Sequence, residues 1–142
     1  MEWKTDKEIA IGQLVELYNA VGWQTYTKDT AKLLRAITGS HFVYTCWEDN
    51  RLIGLARVVS DNATIMYLQD ILVHPKHQRR GIGRMLLSRC LEEYQHVRQK
   101  VLLTDDREEQ KQFYQSLGFS NTRELTKTPL NAFVRIEGVQ LS

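Results

Sequence analysis

Proline and cysteine are nearly missing from this chain, with two of each in 142 residues. There is no Pro/Gly-rich linker, low-complexity tract or internal repeat, so residues 1–142 read as one domain, long enough to bury roughly two-thirds of the surface its unfolded chain would expose. Cys46 and Cys90 lie in apolar stretches without Cys-x-x-Cys or Cys/His ligand spacing, which argues against a zinc site or a disulfide framework and fits a reduced, cytoplasmic setting. No metal is expected. Eighteen consecutive apolar residues occur nowhere, and the opening MEWKTDKEIAIG lacks the apolar core of a signal peptide, so the expectation is a soluble, unsecreted chain with no membrane partner. An excess of either charge is also missing. The formal net charge is +2, and no nucleic-acid-binding motif accompanies it, so a nucleic-acid partner is not expected.

What is present is an ordered series of helix and strand patterns. Trp3 marks a short first strand. Thr5 and Glu8 have capping-box spacing ahead of an apolar helical face through Ile9, Leu14, Leu17, Tyr18 and Val21, stopped at Gly22. A second helix is expected over 28–38, with Gly39 as its stop. Residues 42–48 and 51–60 read as strands joined by the tight turn Asp49-Asn50, and 64–73 as a third. A helix over 81–97 and a short buried strand at 101–103, parallel to the preceding one, come next. A helix over 108–117 and a closing antiparallel pair, 119–125 and 132–137, complete a mixed α/β domain.

The stretch QDILVHPKHQRRGIGRMLL, 69–87, carries the chemistry. An apolar strand turns at His74-Pro75, passes a basic segment and enters a helix across Gly81 and Gly83. A helix start leaves about four N–H groups without intrahelical partners and carries roughly half a positive charge, so an anion satisfies both. Glycine lets a phosphate approach the main chain and can take a positive φ. Lys76, Arg79, Arg80 and Arg84 add charge. The Walker pattern needs a Gly-Lys-Ser/Thr ending and the dinucleotide fingerprint a third glycine, and both are missing.

Gln78-Arg79-Arg80-Gly81-Ile82-Gly83 resembles the Gln/Arg-x-x-Gly-x-Gly/Ala signature of the GNAT superfamily of acyl-CoA-dependent N-acyltransferases. Phe113-Tyr114 followed by Leu117-Gly118-Phe119 resembles that family's Phe-Tyr-x-x-x-Gly-Phe segment. The resemblance covers about residues 42–137. It implies a mostly antiparallel, twisted sheet of six to seven strands, flanked by about four helices and splayed where acyl-CoA enters. It also implies acetyl-CoA as the acyl donor, its pyrophosphate on Gln78, Arg79, Arg80, Gly81, Ile82, Gly83 and Arg84 and its pantetheine arm on the main chain of Ile71, Leu72 and Val73. For Arg79 and Arg80, phosphate contact and a solvated position both stay open. Family members occur as monomers and homodimers.

The implied reaction is direct attack of a primary amine on the thioester in a ternary complex. An alkyl amine with a pKa of about 10.4 is neutral in roughly one molecule in 2,500 at pH 7, a cost of about 4.6 kcal/mol unless the site helps. The leaving thiolate needs a proton, and a tyrosine near pKa 10 facing a thiol near 8.5 transfers it uphill by only about 2 kcal/mol. Tyr114 matches the family's catalytic tyrosine. Asp70, whose side chain alternation sets opposite to that of Ile71, is the candidate base or water-holder, with Asp105 and Asp106 as alternatives. Where the family often has an asparagine seven residues before the tyrosine, this chain has Arg107. Trp23 and Tyr26 form an aromatic element suited to an aryl or cationic amine. His74 and His77 shape the turn or touch phosphate, and His41 is a further acceptor-side candidate. Val21-Gly22-Trp23 and the 52–57 segment faintly resemble plant plastid arylalkylamine and lysine acetyltransferases. The leading reading is an N-acetyltransferase for a small-molecule amine. A protein lysine or N-terminal acetyltransferase and a non-catalytic acyl-CoA sensor are the alternatives.

Overall fold

A computed structural model describes residues 1–142. It divides into two units, Met1–Leu103 and Thr104–Ser142.

The first unit holds a five-stranded sheet in the order β1-β2-β3-β4-β5, with β1 Glu2–Lys4, β2 Phe42–Glu48, β3 Arg51–Ser60, β4 Ile65–Val73 and β5 Gln99–Leu102. The first four are antiparallel neighbours, and β5 lies parallel to β4, as the helical crossover requires. Asp49 and Asn50 both take positive φ, 53° and 61°, the two-residue hairpin geometry whose twist matches its flanking strands. The β3–β4 turn is held by Asp61, whose carboxylate accepts from the backbone N–H groups of Ala63, Thr64 and Ile65 and from the Thr64 hydroxyl. Those four bonds hold its pKa far below the usual carboxylate range.

Helices α1 Ile11–Ala20, α2 Gln24–Thr27 and α3 Thr30–Gly39 precede β2, and α4 Ile82–Glu93 joins β4 to β5. The two sheet faces are distinct. One, carrying Val43, Leu52, Leu55 and Leu72, packs on Leu14, Leu17 and Tyr18 of α1 and Leu33 and Ile37 of α3. The other receives α4: a Cβ at Gly54 would lie 3.0 Å from Ile82 and 3.4 Å from Leu86, so the missing side chain at Gly54 admits the helix.

Two irregularities matter for function. Arg57 pairs with Asp70 and Val58 with Leu68, which leaves Gln69 as an extra residue in β4, a β-bulge. Strict alternation would set Asp70 with Leu68 and Met66 on the α4 face. The bulge instead turns Asp70 and Leu72 toward α1 and α3. In addition, β4 and β5 pair only from Ile65↔Gln99 to Leu68↔Leu102. From Gln69 to Val73, β4 runs on without β5 beside it, which is the splay.

The second unit contains α5 Glu108–Ser116 and a 3-10 turn at Thr122–Glu124. Gly118 takes a φ of 93°, and the backbone N–H of Phe119 bonds Tyr114 O, closing the helix. No helix is long and apolar enough to cross a membrane.

Several sequence expectations need correction. The sheet has five strands rather than six or seven, because 119–125 and 132–137 form no strand pair. Helix α1 begins at Ile11 without a side-chain cap, so Thr5 and Glu8 make no capping box. The expected series of helices lacks the short helix α2, Gln24–Thr27, that follows Trp23. Asp29 caps α3, accepting from the Lys32 N–H at 3.1 Å. Helix α4 stops at Glu93, short of residue 97.

Candidate active site

The splay and the start of α4 are continuous in the chain. Strand β4 ends at Val73, and the backbone N–H of His74 bonds Ile53 O at 2.8 Å, anchoring the exit to β3. His74 Nδ1 then accepts from the Lys76 N–H at 3.2 Å, fixing a 3-10 turn over Pro75–His77. Gln78 folds back, its amide donating to Val73 O at 3.1 Å. Arg79 takes a φ of 64°, and Gly81, the residue before α4, takes 79°. No side chain caps the helix start, no acidic residue occupies its first turn, and a Cβ at Gly81 would meet no atom within 4 Å. The result is an exposed, positively polarised main-chain cradle whose first-turn N–H groups lack intrahelical acceptors.

Arg80 does not stand in that cradle unengaged. Its guanidinium forks onto Glu48 at the end of β2, with two contacts of 3.2 Å, and lies 2.8 Å from His77 Nδ1. Glu48 is held below its usual pKa, first by its hydrogen bond with Arg80. Arg80 thereby ties the loop to β2, and His77 shares the cluster at 3.2 Å from Glu48.

On the opposite sheet face lies a buried polar cluster around Asp70, which is 2% exposed. Asp70 Oδ2 accepts from Arg57 Nε at 2.5 Å and from the Tyr18 hydroxyl at 2.9 Å, and Oδ1 accepts from the Tyr26 hydroxyl at 2.7 Å. Gln69, the bulge residue, donates to the Tyr26 oxygen at 3.1 Å. Trp23, Tyr18 and Tyr26 form a ring cluster with centroids 5.0 to 6.2 Å apart. The Arg57 guanidinium lies 5.9 Å from the centre of Tyr26. Burial first, then the Asp70 charge, raises the pKa of both Tyr18 and Tyr26, so both hydroxyls stay protonated and donating.

The sequence reading had named Asp70, Trp23 and Tyr26, and the fold brings these three together. That reading gives Tyr18 only as part of an apolar helical face and assigns no site role to Arg57, Gln69 or Glu48. A signal for Arg57 was available: an arginine set among Leu55, Ala56, Val58 and Val59 of a core strand demands a buried counter-charge. His41 is engaged elsewhere, its Nδ1 lying 2.5 Å from the Tyr94 hydroxyl after α4.

In the second unit, Tyr114 is buried among Phe113 and Phe119, with centroids 5.1 and 6.0 Å away, and burial pushes its hydroxyl up to about 12. Arg107 stands just before α5 and pairs with Glu109 at 3.1 Å and Asp105 at 3.9 Å. Asp106 is paired with Lys111 at 3.0 Å and Arg123 at 3.6 Å.

Comparison with known proteins gives this geometry a family. The chain is 26% identical to the uncharacterized N-acetyltransferase ycf52 of Porphyra purpurea, over 80% of this chain and 66% of that one. It is 28% identical to the histone acetyltransferase TAP1 of Glycine max, over 79% of this chain and 50% of the relative. The chain spans about half to two-thirds the length of the curated relatives it matches. Among solved structures, the GNAT-family acetyltransferase SP0256 of Streptococcus pneumoniae superimposes with a TM-score of 0.78 at 27% identity, covering 97% of this chain and 98% of that one. The model of the acetyltransferase (GNAT) domain matches residues 12–133, and the chain belongs to the GNAT acetyltransferase family.

Proposed function

We propose that the chain transfers the acetyl group of acetyl-CoA to a primary amine of a small-molecule acceptor, by direct attack in a ternary complex. The observation that carries this reading is the continuity of an unpaired strand edge, Gln69–Val73, with a glycine-led, uncapped helix start. The edge of β4 at Ile71, Leu72 and Val73 that faces away from β3 has no strand beside it and suits an amide-bearing pantetheine arm, which would pair with it as an added strand. The main chain of Gly81, Ile82, Gly83 and Arg84 suits a pyrophosphate, with Arg79 beside it. Gln78 and Arg80 hold the loop's shape through Val73 O and Glu48.

Tyr114 is the proposed acid for the leaving thiolate. With its pKa near 12 it stays protonated throughout the neutral range, and proton transfer to a free thiolate of pKa near 8.5 is uphill by about 5 kcal/mol. It therefore acts by donating a hydrogen bond as negative charge develops on sulfur. Asp70, with both oxygens engaged by three donors, is proposed as a positioning residue: it holds the Tyr26 hydroxyl, and through it Gln69, on the acceptor side. Trp23 and Tyr26 supply aromatic surface for the acceptor. The amine proton is then shed to water.

A protein lysine acceptor is the second reading, favoured by the likeness to a relative named a histone acetyltransferase. An amine screen scored by free-thiol release from acetyl-CoA tests both. Turnover with small amines at a lower KM than with lysine peptides supports the first. The reverse order supports the second, and acetyl-CoA binding without turnover on either would leave an acyl-CoA sensor.

A further inference from the structure

Asp70 lies one hydroxyl away from the surface of the molecule. Trp23 and Tyr26 are half-buried and Gln69 is exposed, while Asp70, which accepts from the Tyr26 hydroxyl at 2.7 Å, is buried behind them. An amine resting on Tyr26 or Gln69 would therefore stand close to a carboxylate shielded from water. An opposite charge within about 4–6 Å favours the charged form of a titrating group by about 1–3 pKa units. Left alone, Asp70 would hold a bound amine as its ammonium ion, which has no lone pair with which to attack a thioester.

Arg57 removes that field. Its Nε donates to Asp70 Oδ2 at 2.5 Å, its Nη1 donates to Ser40 Oγ at the end of α3 at 3.4 Å, and its guanidinium lies 5.9 Å from the centre of the Tyr26 ring. A guanidinium keeps its proton throughout the range in which an amine titrates. The other titratable groups around Asp70 are Tyr18 of α1, Tyr26 of α2 and Tyr67 of β4, and each is raised from the ordinary tyrosine value, first by burial and then by the Asp70 charge. They are neutral, so the cancellation falls to Arg57. Stability alone is a poor reason for the pair, because apolar residues of similar volume in place of a buried ion pair are often as stable or more so. We propose, on the reading of Tyr26 as acceptor surface, that Arg57 is a positioning residue for the acceptor: by cancelling the charge of Asp70 it lets Tyr26 and Gln69 receive the amine in its neutral, attacking form. Asp70 then orients the hydroxyls of Tyr18 and Tyr26 without trapping the substrate as a cation.

The test is the pH dependence of kcat at saturating acetyl-CoA, with the small amine of lowest KM from the screen above. In the natural chain the ascending limb should lie at or below the pKa of that amine free in solution. Asp70→Asn removes the carboxylate and leaves the Arg57 charge, so its limb should move to lower pH by about one unit or more. Arg57→Met with Asp70→Leu removes both charges, and its limb should return to the natural position whatever the loss in rate. A pair that is merely structural would change the rate and leave the limb where it is. Coincident limbs for the natural chain and Asp70→Asn overturn the proposal. So does a natural limb above the solution pKa of the amine, a measurement that stands even where Asp70→Asn fails to fold. Absence of turnover on every amine is a different result: it overturns the amine acetyltransferase reading, and the role of Arg57 falls with it.

Discussion

Arg57 donates its Nε–H to Asp70 Oδ2 across 2.5 Å, with the two residues 7% and 2% exposed. The pair is a consequence of the Gln69 bulge, which turns Asp70 onto the face where Arg57 points. Removing one member of such a pair leaves a buried charge uncompensated. Asp70→Asn is therefore expected to lower unfolding stability by about 3–5 kcal/mol, while Arg57→Met with Asp70→Leu together cost markedly less. Urea unfolding of the three variants checks the order. Equal losses for the single and double variants would contradict it.

Tyr114→Phe keeps the ring packed on Phe113 and Phe119 and removes only the hydroxyl. The expected outcome is a fall in kcat on the order of 10²-fold, with acetyl-CoA affinity nearly unchanged. Burial raises the folded pKa, so the hydroxyl keeps its proton as pH rises and is lost as an acid only near 12. The rate of the natural protein should accordingly climb with pH as the acceptor amine is neutralised, with no fall traceable to Tyr114 below pH 11. A descending limb at pH 8 to 9 that vanishes in Tyr114→Phe would contradict this.

At the hairpin, Asp49 and Asn50 hold positive φ without being glycine. Asn50→Gly relieves that conformation and should raise stability by up to about 1 kcal/mol, whereas Asn50→Val should lower it. Thermal melts of the two variants give the comparison.

Asp61 makes a pH prediction. Its folded pKa is depressed by four hydrogen bonds, so its contribution is present in full above the unfolded value near 3.9 and is lost progressively as pH falls from there through the depressed folded value. Asp61→Asn should be less stable than the natural chain at pH 7, and the difference should shrink on acidification toward pH 2. A difference independent of pH would show that the carboxylate charge is not involved.

The parts of the fold legible in the sequence were those with a local physical signature. Asp49-Asn50 announced the hairpin, and Gly81 and Gly83 announced a helix start at which either could take a positive φ, as Gly81 does. The bulge at Gln69 was not legible: nothing in a glutamine marks an extra residue, and the register is set by pairing across two strands. Asp70 was singled out, yet its partners Tyr18 and Arg57 lie 52 and 13 residues away, and their meeting depends on that bulge. The closing strand pair failed for a related reason. Strand composition at 132–137 records a capacity to pair, while the partner edge is a tertiary fact.

The most direct measurement is calorimetric titration of the natural chain and of Gly81→Trp with acetyl-CoA, each first shown to be folded by circular dichroism. The account predicts saturable one-site binding by the natural chain and at least a tenfold loss in the variant, whose side chain fills the space above the helix start. Binding that Gly81→Trp leaves unchanged would place acetyl-CoA elsewhere, and no binding by the folded natural chain would contradict the acetyltransferase reading itself.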